Sequence, residues 1–299
     1  MRCLIDSDIL VYEIANCGQF TDPDSGELVV REFDFVAGLL DQKIQEIEAE
    51  CWATEPSVLY LTGDRKLTKS VNKKLKHEGK PEVEFKPNFR FEVAKQKDYK
   101  GTRKQEKPFH YNNIREHMLA NYPCIVAEGM EADDMICVEL KRNGDKLDVI
   151  CCSRDKDLRM VAGMHFGWEC GRQPQFGPKR VDNIGSLTLK ETQGKDGKTS
   201  YILKGVGLKF FYSQLITGDS VDNIPGLRGG GPVLAFNSLN DLTTEEAMFE
   251  CVVGLYEKKY GEGYRTELRE QCDLLWMIQE LDAEGNPIKY VMVDERGEQ

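Results

Sequence analysis

Four short apolar runs constrain this chain most, because each one ends at a carboxylate or just before one. Arg2–Asp6 reads as a buried strand closing on an acid, and Ser57–Thr62 reads as a second, followed by Asp64. Cys124–Ala127 leads into the acids that begin at Glu128, and Leu147–Cys152 leads to Asp155 and Asp157. Helical segments separate these runs. A helix is expected from Asp8 to Asn16, with Asp8 as its N-cap. Another is expected from Asp34 to about Cys51, where Val36, Leu40, Ile44 and Ile47 form an apolar stripe. Strand, helix and strand in repetition predict an α/β fold with a mostly parallel central sheet covered by helices. Open sheets of this kind bind ligands beyond the carboxyl ends of their strands, where these acids would gather.

The rest of the chain is read from its turns. Asp22-Pro23-Asp24-Ser25-Gly26 predicts a hairpin between Gly18–Phe20 and Leu28–Phe33. Residues 186–203 read as an added hairpin, and the pattern from Gly207 onward is helical, with helices near 207–217, 231–240, 243–258 and 264–280. Two parts are expected, a core over 1–206 and a helical part over 207–299. No apolar run approaches the roughly 20 residues of a membrane span. Asp6 stands where a signal peptide needs its apolar centre, so a cytoplasmic protein without a membrane partner is expected. The 10 cysteines include no C-x-x-C pair, and several lie in apolar runs, so they read as core residues.

Net charge is −11, which taken whole argues against nucleic acid. The distribution reverses that. Residues 65–107 hold 15 Lys/Arg against 6 Asp/Glu, a local +9, leaving −20 for the remainder. A basic patch on an acidic chain suits a polyanion held beside carboxylates. Phe85, Phe89, Phe91 and Tyr99 lie inside the basic stretch, and bases stack on such rings.

Three acidic clusters carry the chemistry. Glu131-Ala132-Asp133-Asp134 opens a helix, and three acids in four residues exceed what a helix dipole needs. Ser153-Arg154-Asp155-Lys156-Asp157 sets two acids on one side of an extended stretch. Asp219 and Asp222 stand three apart in Gly218–Gly226. Two unit charges about 4 Å apart repel by about 4 kcal/mol at an effective dielectric near 20. A divalent cation removes that cost, and all-oxygen ligands suit Mg²⁺ or Mn²⁺ rather than zinc. Two such ions can run phosphodiester hydrolysis.

These three clusters, with Tyr99-Lys100-Gly101-Thr102-Arg103 ahead of them, occur in an order that resembles the 5′-nuclease superfamily over about residues 1–240. That superfamily includes flap endonucleases, the 5′-nuclease domain of bacterial DNA polymerase I, and phage 5′–3′ exonucleases. The size and the short segment between Tyr99 and Glu131 look most like the exonucleases of short-tailed phages. The resemblance implies a PIN-like core, a helical arch at about 95–122 and a helix–two-turn–helix at about 207–240.

The resemblance also implies roles. Asp6, Asp64, Glu131 and Asp133 resemble the ligands of a first metal, and Asp155, Asp157 and Asp219 those of a second. Asp134 and Asp222 match acids that lie near the metals. Lys100 and Arg103 resemble the catalytic basic pair at the base of the arch, where a cation offsets developing charge. Tyr99 would stack a terminal base or serve as a core aromatic, and Lys104 and Lys107 would contact phosphates or be merely solvated. Gly226, Arg228, Gly229, Gly230 and Gly231 resemble the turns through which a duplex backbone and a K⁺ ion approach main-chain groups. Val233 departs from the lysine often found after that proline. His110 and His117 would flank Tyr111 in an arch helix without binding metal.

The implied activity is 5′→3′ exonuclease action on duplex DNA, extending to RNA primers in hybrids, by a monomer in phage replication or recombination in the host cytoplasm. Its rivals are a 5′ flap endonuclease using the same acids, an inactive DNA-binding subunit, and a metal-dependent ribonuclease of the related toxin type.

Overall fold

The computed structural model describes residues 1–103, 106–143, 147–193 and 197–296. They form two compact units that interleave along the chain. The first takes Met1–Asn88, Lys104–Asp155 and Gly163–Arg180, and the second Phe89–Arg103, Lys156–Ala162 and Val181–Gln299. The division therefore differs from a single cut at 206/207. The hairpin at 186–206 and the basic loop at 89–103 both go with the C-terminal helices.

The first unit is built on the strand–acid repeats. In chain order its elements are β1 (Arg2–Asp6), α1 (Ser7–Cys17), β2 (Gln19–Thr21), β3 (Leu28–Val30), α2 (Phe33–Glu50), β4 (Val58–Thr62) and α3 (Arg65–His77). After α4 (Arg90–Val93), which belongs to the second unit, come α5 (Tyr111–Asn121), β5 (Cys124–Ala127), α6 (Ala132–Asn143), β6 (Val149–Cys152), β7 (Gly163–Gly167) and β8 (Phe176–Val181).

Six strands make one sheet in the order β5-β4-β1-β6-β7-β8. Its pairs from β5 to β7 are all parallel. β1 is central, so its alternate side chains Cys3 and Ile5 enter a core shared with Leu10, Ile14, Val36, Leu40 and Ile44 of α1 and α2. The thiols of Cys3, Cys51 and Cys152 pack together there, with 3.7 Å between the last two. β2 and β3 form the expected hairpin, shorter than the turn residues suggested.

Of the arch expected over 95–122, only Tyr111–Asn121 is helical among the described residues. That helix is also no free arch, because Ile114, Met118 and Leu119 bury its apolar face in the first unit's core. Gly101 and Pro108 interrupt the segment before it, and neither suits a helix interior.

The second unit continues with β9 (Ser186–Gln193) and β10 (Thr199–Val206), paired antiparallel. Then follow α7 (Gly207–Thr217), α8 (Pro232–Leu239), α9 (Glu245–Tyr260) and α10 (Tyr264–Leu275). α7 is almost wholly buried, and Tyr256 donates its hydroxyl to Leu215 O at 2.6 Å, tying α9 to it. No described helix is long and apolar enough to cross a membrane.

Candidate active site

In the first unit, four neighbouring parallel strands each hand the chain to an acid. Asp6 closes β1, Asp64 follows β4, Glu131 follows β5 and Asp155 follows β6. Asp6 is 1% exposed. It caps α1 through the Ile9 N–H, so the cap role expected of Asp8 falls to Asp6. The hydroxyl of Ser153 donates to Asp6 Oδ2 at 2.7 Å and accepts the Asp155 N–H at 2.9 Å, linking two candidate ligands. Burial pushes the Asp6 carboxyl up to about 7, with the Asp8 and Asp155 charges adding to it.

Asp8, the second residue of α1, accepts the Thr62 N–H at 3.1–3.2 Å with both oxygens. Burial also raises its pKa, and Glu131 adds to the rise. Asp64 behaves oppositely. Burial works against it, but the Leu67 N–H and the Arg115 guanidinium hold it below the usual carboxylate range. Arg115 Nη1 donates to Asp64 Oδ2 at 2.6 Å and Nη2 to Thr62 O at 2.6 Å. Lys107 lies 3.7 Å from the same Oδ2. Asp134 is fully buried and accepts the Glu131 N–H at 3.0 Å, so one of its oxygens caps α6. Asp133 is half-buried beside it. Lys104 lies outside the described residues.

The donors these acids offer are of the kind that suits a hard divalent cation, although among the described residues the only three ligating side chains within 4.8 Å of one another are Cys3, Cys51 and Cys152. They are carboxylate oxygens, and burial raises the pKa of both Asp6 and Asp8, with the Asp8 charge adding to the rise at Asp6. The guanidinium of Arg115 is turned toward Asp64 and Thr62.

In the second unit, Asp157 accepts Gln214 Nε2 at 2.7 Å. Asp219 is 5% exposed and accepts the Val221 N–H at 2.7 Å and Lys156 Nζ at 3.1 Å. Burial opposes its ionisation, but Lys156 outweighs it and keeps the carboxylate below its usual range. Asp222 is engaged by the basic loop. It accepts the Tyr99 hydroxyl at 3.1 Å and a bond from Arg103, with Lys100 Nζ 3.9 Å away. The Lys100 N–H donates to Asp222 O at 3.0 Å. Lys100 and Arg103, assigned to a scissile phosphate, thus sit on an acid of their own unit. Tyr99 differs from the base-stacking expectation. It is 5% exposed and packs edge-on against Phe91, because its hydroxyl has an internal acceptor.

The glycines between α7 and α8 divide in the same way. A Cβ on Gly226, at φ +65°, would meet Gly218 N at 2.2 Å, and one on Gly230 would meet Ile216 O at 2.0 Å. Close packing inside the unit explains both. Gly231 faces open space, and Gly229 lies near Lys259 Nζ. The exposed Arg228 donates its N–H to the Tyr260 hydroxyl at 3.0 Å.

Sequence reasoning missed Ser153, Arg115, Lys156 and Gln214 as supports. Ser153 and Lys156 stand inside a quoted motif, but Arg115 and Gln214 carry no local signal.

No family model matches the chain. It is 30% identical over 151 residues to a DNA polymerase I of Rhizobium leguminosarum, covering 50% of this chain and 13% of that protein. It is 28% identical over 205 residues to a DNA polymerase I of Bacillus caldotenax, covering 66% of this chain and 21% of that one. The chain therefore spans less than a quarter of the length of these relatives. Among solved structures, the T5 D15 protein co-crystallised with metal ions aligns at 15% identity and a TM-score of 0.46, over 92% of this chain and 99% of that one. The catalytic core of Rad2 in complex with DNA substrate aligns at 13% identity and a TM-score of 0.42, over 98% of this chain and 84% of that one.

Proposed function

We propose that this chain, which carries the motif order and the parallel sheet of the 5′-nuclease superfamily, is a metal-dependent 5′→3′ exodeoxyribonuclease acting on duplex DNA. One observation carries the reading: acids follow four adjacent parallel strands of one sheet, β5-β4-β1-β6. The relatives named DNA polymerase I support it, since their matched segments cover half to two thirds of this chain.

Asp6, Asp64, Glu131 and Asp133 would hold one Mg²⁺ or Mn²⁺, and Asp155, Asp157 and Asp219 another. Bound there, the ions would supply an activated water and charge stabilisation for the leaving 3′ oxygen. The chain's own residues orient the donors. Ser153 aligns Asp6, Arg115 fixes Asp64, and Gln214 with Lys156 steadies Asp157 and Asp219. Lys100 and Arg103 would leave Asp222 to meet the phosphate. RNA primers in hybrids, K⁺ at the turns between α7 and α8, a monomeric state and a phage role in a host cytoplasm belong to the same proposal.

Duplex DNA labelled at either 5′ or 3′ end, with Mg²⁺ or chelator, tests it. Release of 5′ label as mononucleotide, only with metal and not by Asp155→Asn, is expected. A 5′ flap cut at its junction to release an oligonucleotide would shift the reading to a flap endonuclease. DNA bound but never cut with Mg²⁺ or Mn²⁺ would leave an inactive binding subunit.

A further inference from the structure

α3 follows Asp64 directly, and its 13 residues contain no carboxylate. Lys66, Lys69, Lys73 and Lys76 recur at spacings of three, four and three, so they share one face of the helix. All four are exposed, while Leu67 and Thr68 bury the opposite face. None of the four ammonium groups is held by an ion pair or hydrogen bond to a described residue. Solvated helix faces ordinarily mix signs, since like charges three or four apart repel. Here the repulsion is unrelieved, and Arg65 and Lys66 stand in the first turn, where the helix dipole disfavours cations. Lys76, in the last turn, meets the favourable end of the dipole, so the cost lies in the first turn and between neighbouring lysines; an exposed face of one sign, on a chain of net charge −11, matches a polyanion outside the helix.

We propose that the stripe is a phosphate track, holding the backbone of one nucleic-acid strand as it leads away from Asp64. The stripe runs about 15 Å at 1.5 Å per residue. Over that length one strand presents about four phosphates, one for every 3.4 Å or so of axis. The purpose of the track rests on the nuclease reading, but its occupancy is measured without any chemistry.

The test is equilibrium binding of duplex DNA in chelator across a salt series, comparing wild type with K66Q/K69Q/K73Q/K76Q. Each phosphate contact contributes about 0.9 to the slope of log K against log salt for duplex and about 0.7 for single strands. The quadruple variant should lose about 3 to 4 of that slope and more than tenfold in affinity at low salt. The matching Lys→Arg quadruple should keep both. Slopes agreeing within 1, in variants that melt cooperatively, would overturn the track and leave a solvated face. Cleavage by wild type with unchanged slopes would sink the track alone. A stripe-dependent slope without cleavage would sink the nuclease reading alone, and no DNA binding at all would sink both.

Discussion

Arg115 is a charged residue on a helix face whose neighbours Ile114 and Met118 are wholly buried. Its guanidinium donates to Asp64 and to Thr62 O at once, at 2.6 Å each. Its Nε has no partner among the described residues, so its worth lies in the fork. Lysine cannot reproduce that bidentate geometry. Arg115→Lys should therefore lower kcat at least tenfold with little change in KM, because Asp64 is misplaced rather than removed. Arg115→Met should cost about 1–3 kcal/mol in urea unfolding, the range for a buried acceptor left unsatisfied. Equal losses in kcat/KM through KM alone would count against the positioning role. The places of Asp6 and Asp64 at the ends of β1 and β4 were legible because each follows an apolar run. Arg115 was not, since nothing local marks which residue of α5 will face β4. Asp8 was misread for a related reason: an acid at the start of a helix can cap it or bond a neighbouring strand, and only tertiary placement separates the two.

At the scale of elements, most of the fold was legible. β1, β4, β5 and β6 and the helices from Gly207 onward lie close to where periodicity put them. β7, in Gly163-Met164-His165-Phe166-Gly167, has glycine at both ends and no alternation to announce it. The arch was the largest departure, because a segment joined to a basic loop reads the same whether its helix is free or packed. The turns between α7 and α8 offer a clean test of why glycine stands there. Gly226→Ala forces a Cβ against Gly218 N in a left-handed conformation, and should cost about 2–4 kcal/mol. Gly231→Ala meets nothing within 4 Å and adopts an extended backbone, so it should cost under about 1 kcal/mol. Equal losses in denaturant midpoints would remove the packing explanation. On α3 the sign reverses. Replacing the four stripe lysines by glutamine relieves three repelling pairs, at about 0.2–0.5 kcal/mol each. The melting temperature should rise by a degree or more, and a fall would mean those lysines hold the fold.

For the whole molecule, the carboxylates tie stability to pH and to metal. Asp6 has a folded pKa of about 7 against an ordinary 3.8, so between those values the fold binds a proton that the unfolded chain does not. Its contribution is fully present below pH 4 and is lost as pH rises through 7. Asp64, Asp219 and Glu245 run the other way, being held low by their cationic or N–H partners. Their contribution is present above pH 4 and lost as pH falls through their depressed folded values. Metal-free protein should therefore be most stable at mildly acidic pH and lose melting temperature toward pH 8. A cation that binds only the folded state adds about 2.7 kcal/mol at a concentration of 100 Kd. Mg²⁺ should therefore restore several degrees at pH 8 and little at pH 5, where Asp6 holds its proton and must release it to ligate. Asp6→Asn removes the buried charge and keeps one acceptor oxygen, for the Ile9 N–H, while its NH2 faces the Ser153 hydroxyl oxygen. It should raise the metal-free melting temperature at pH 8 and blunt the Mg²⁺ shift. Thermal melts of both proteins at the two pH values, with Mg²⁺ and with chelator, check all four corners. If Asp6→Asn melts lower than wild type at pH 8 without metal, the Asp6 carboxylate is a support of the fold and not a charge held in wait for a cation.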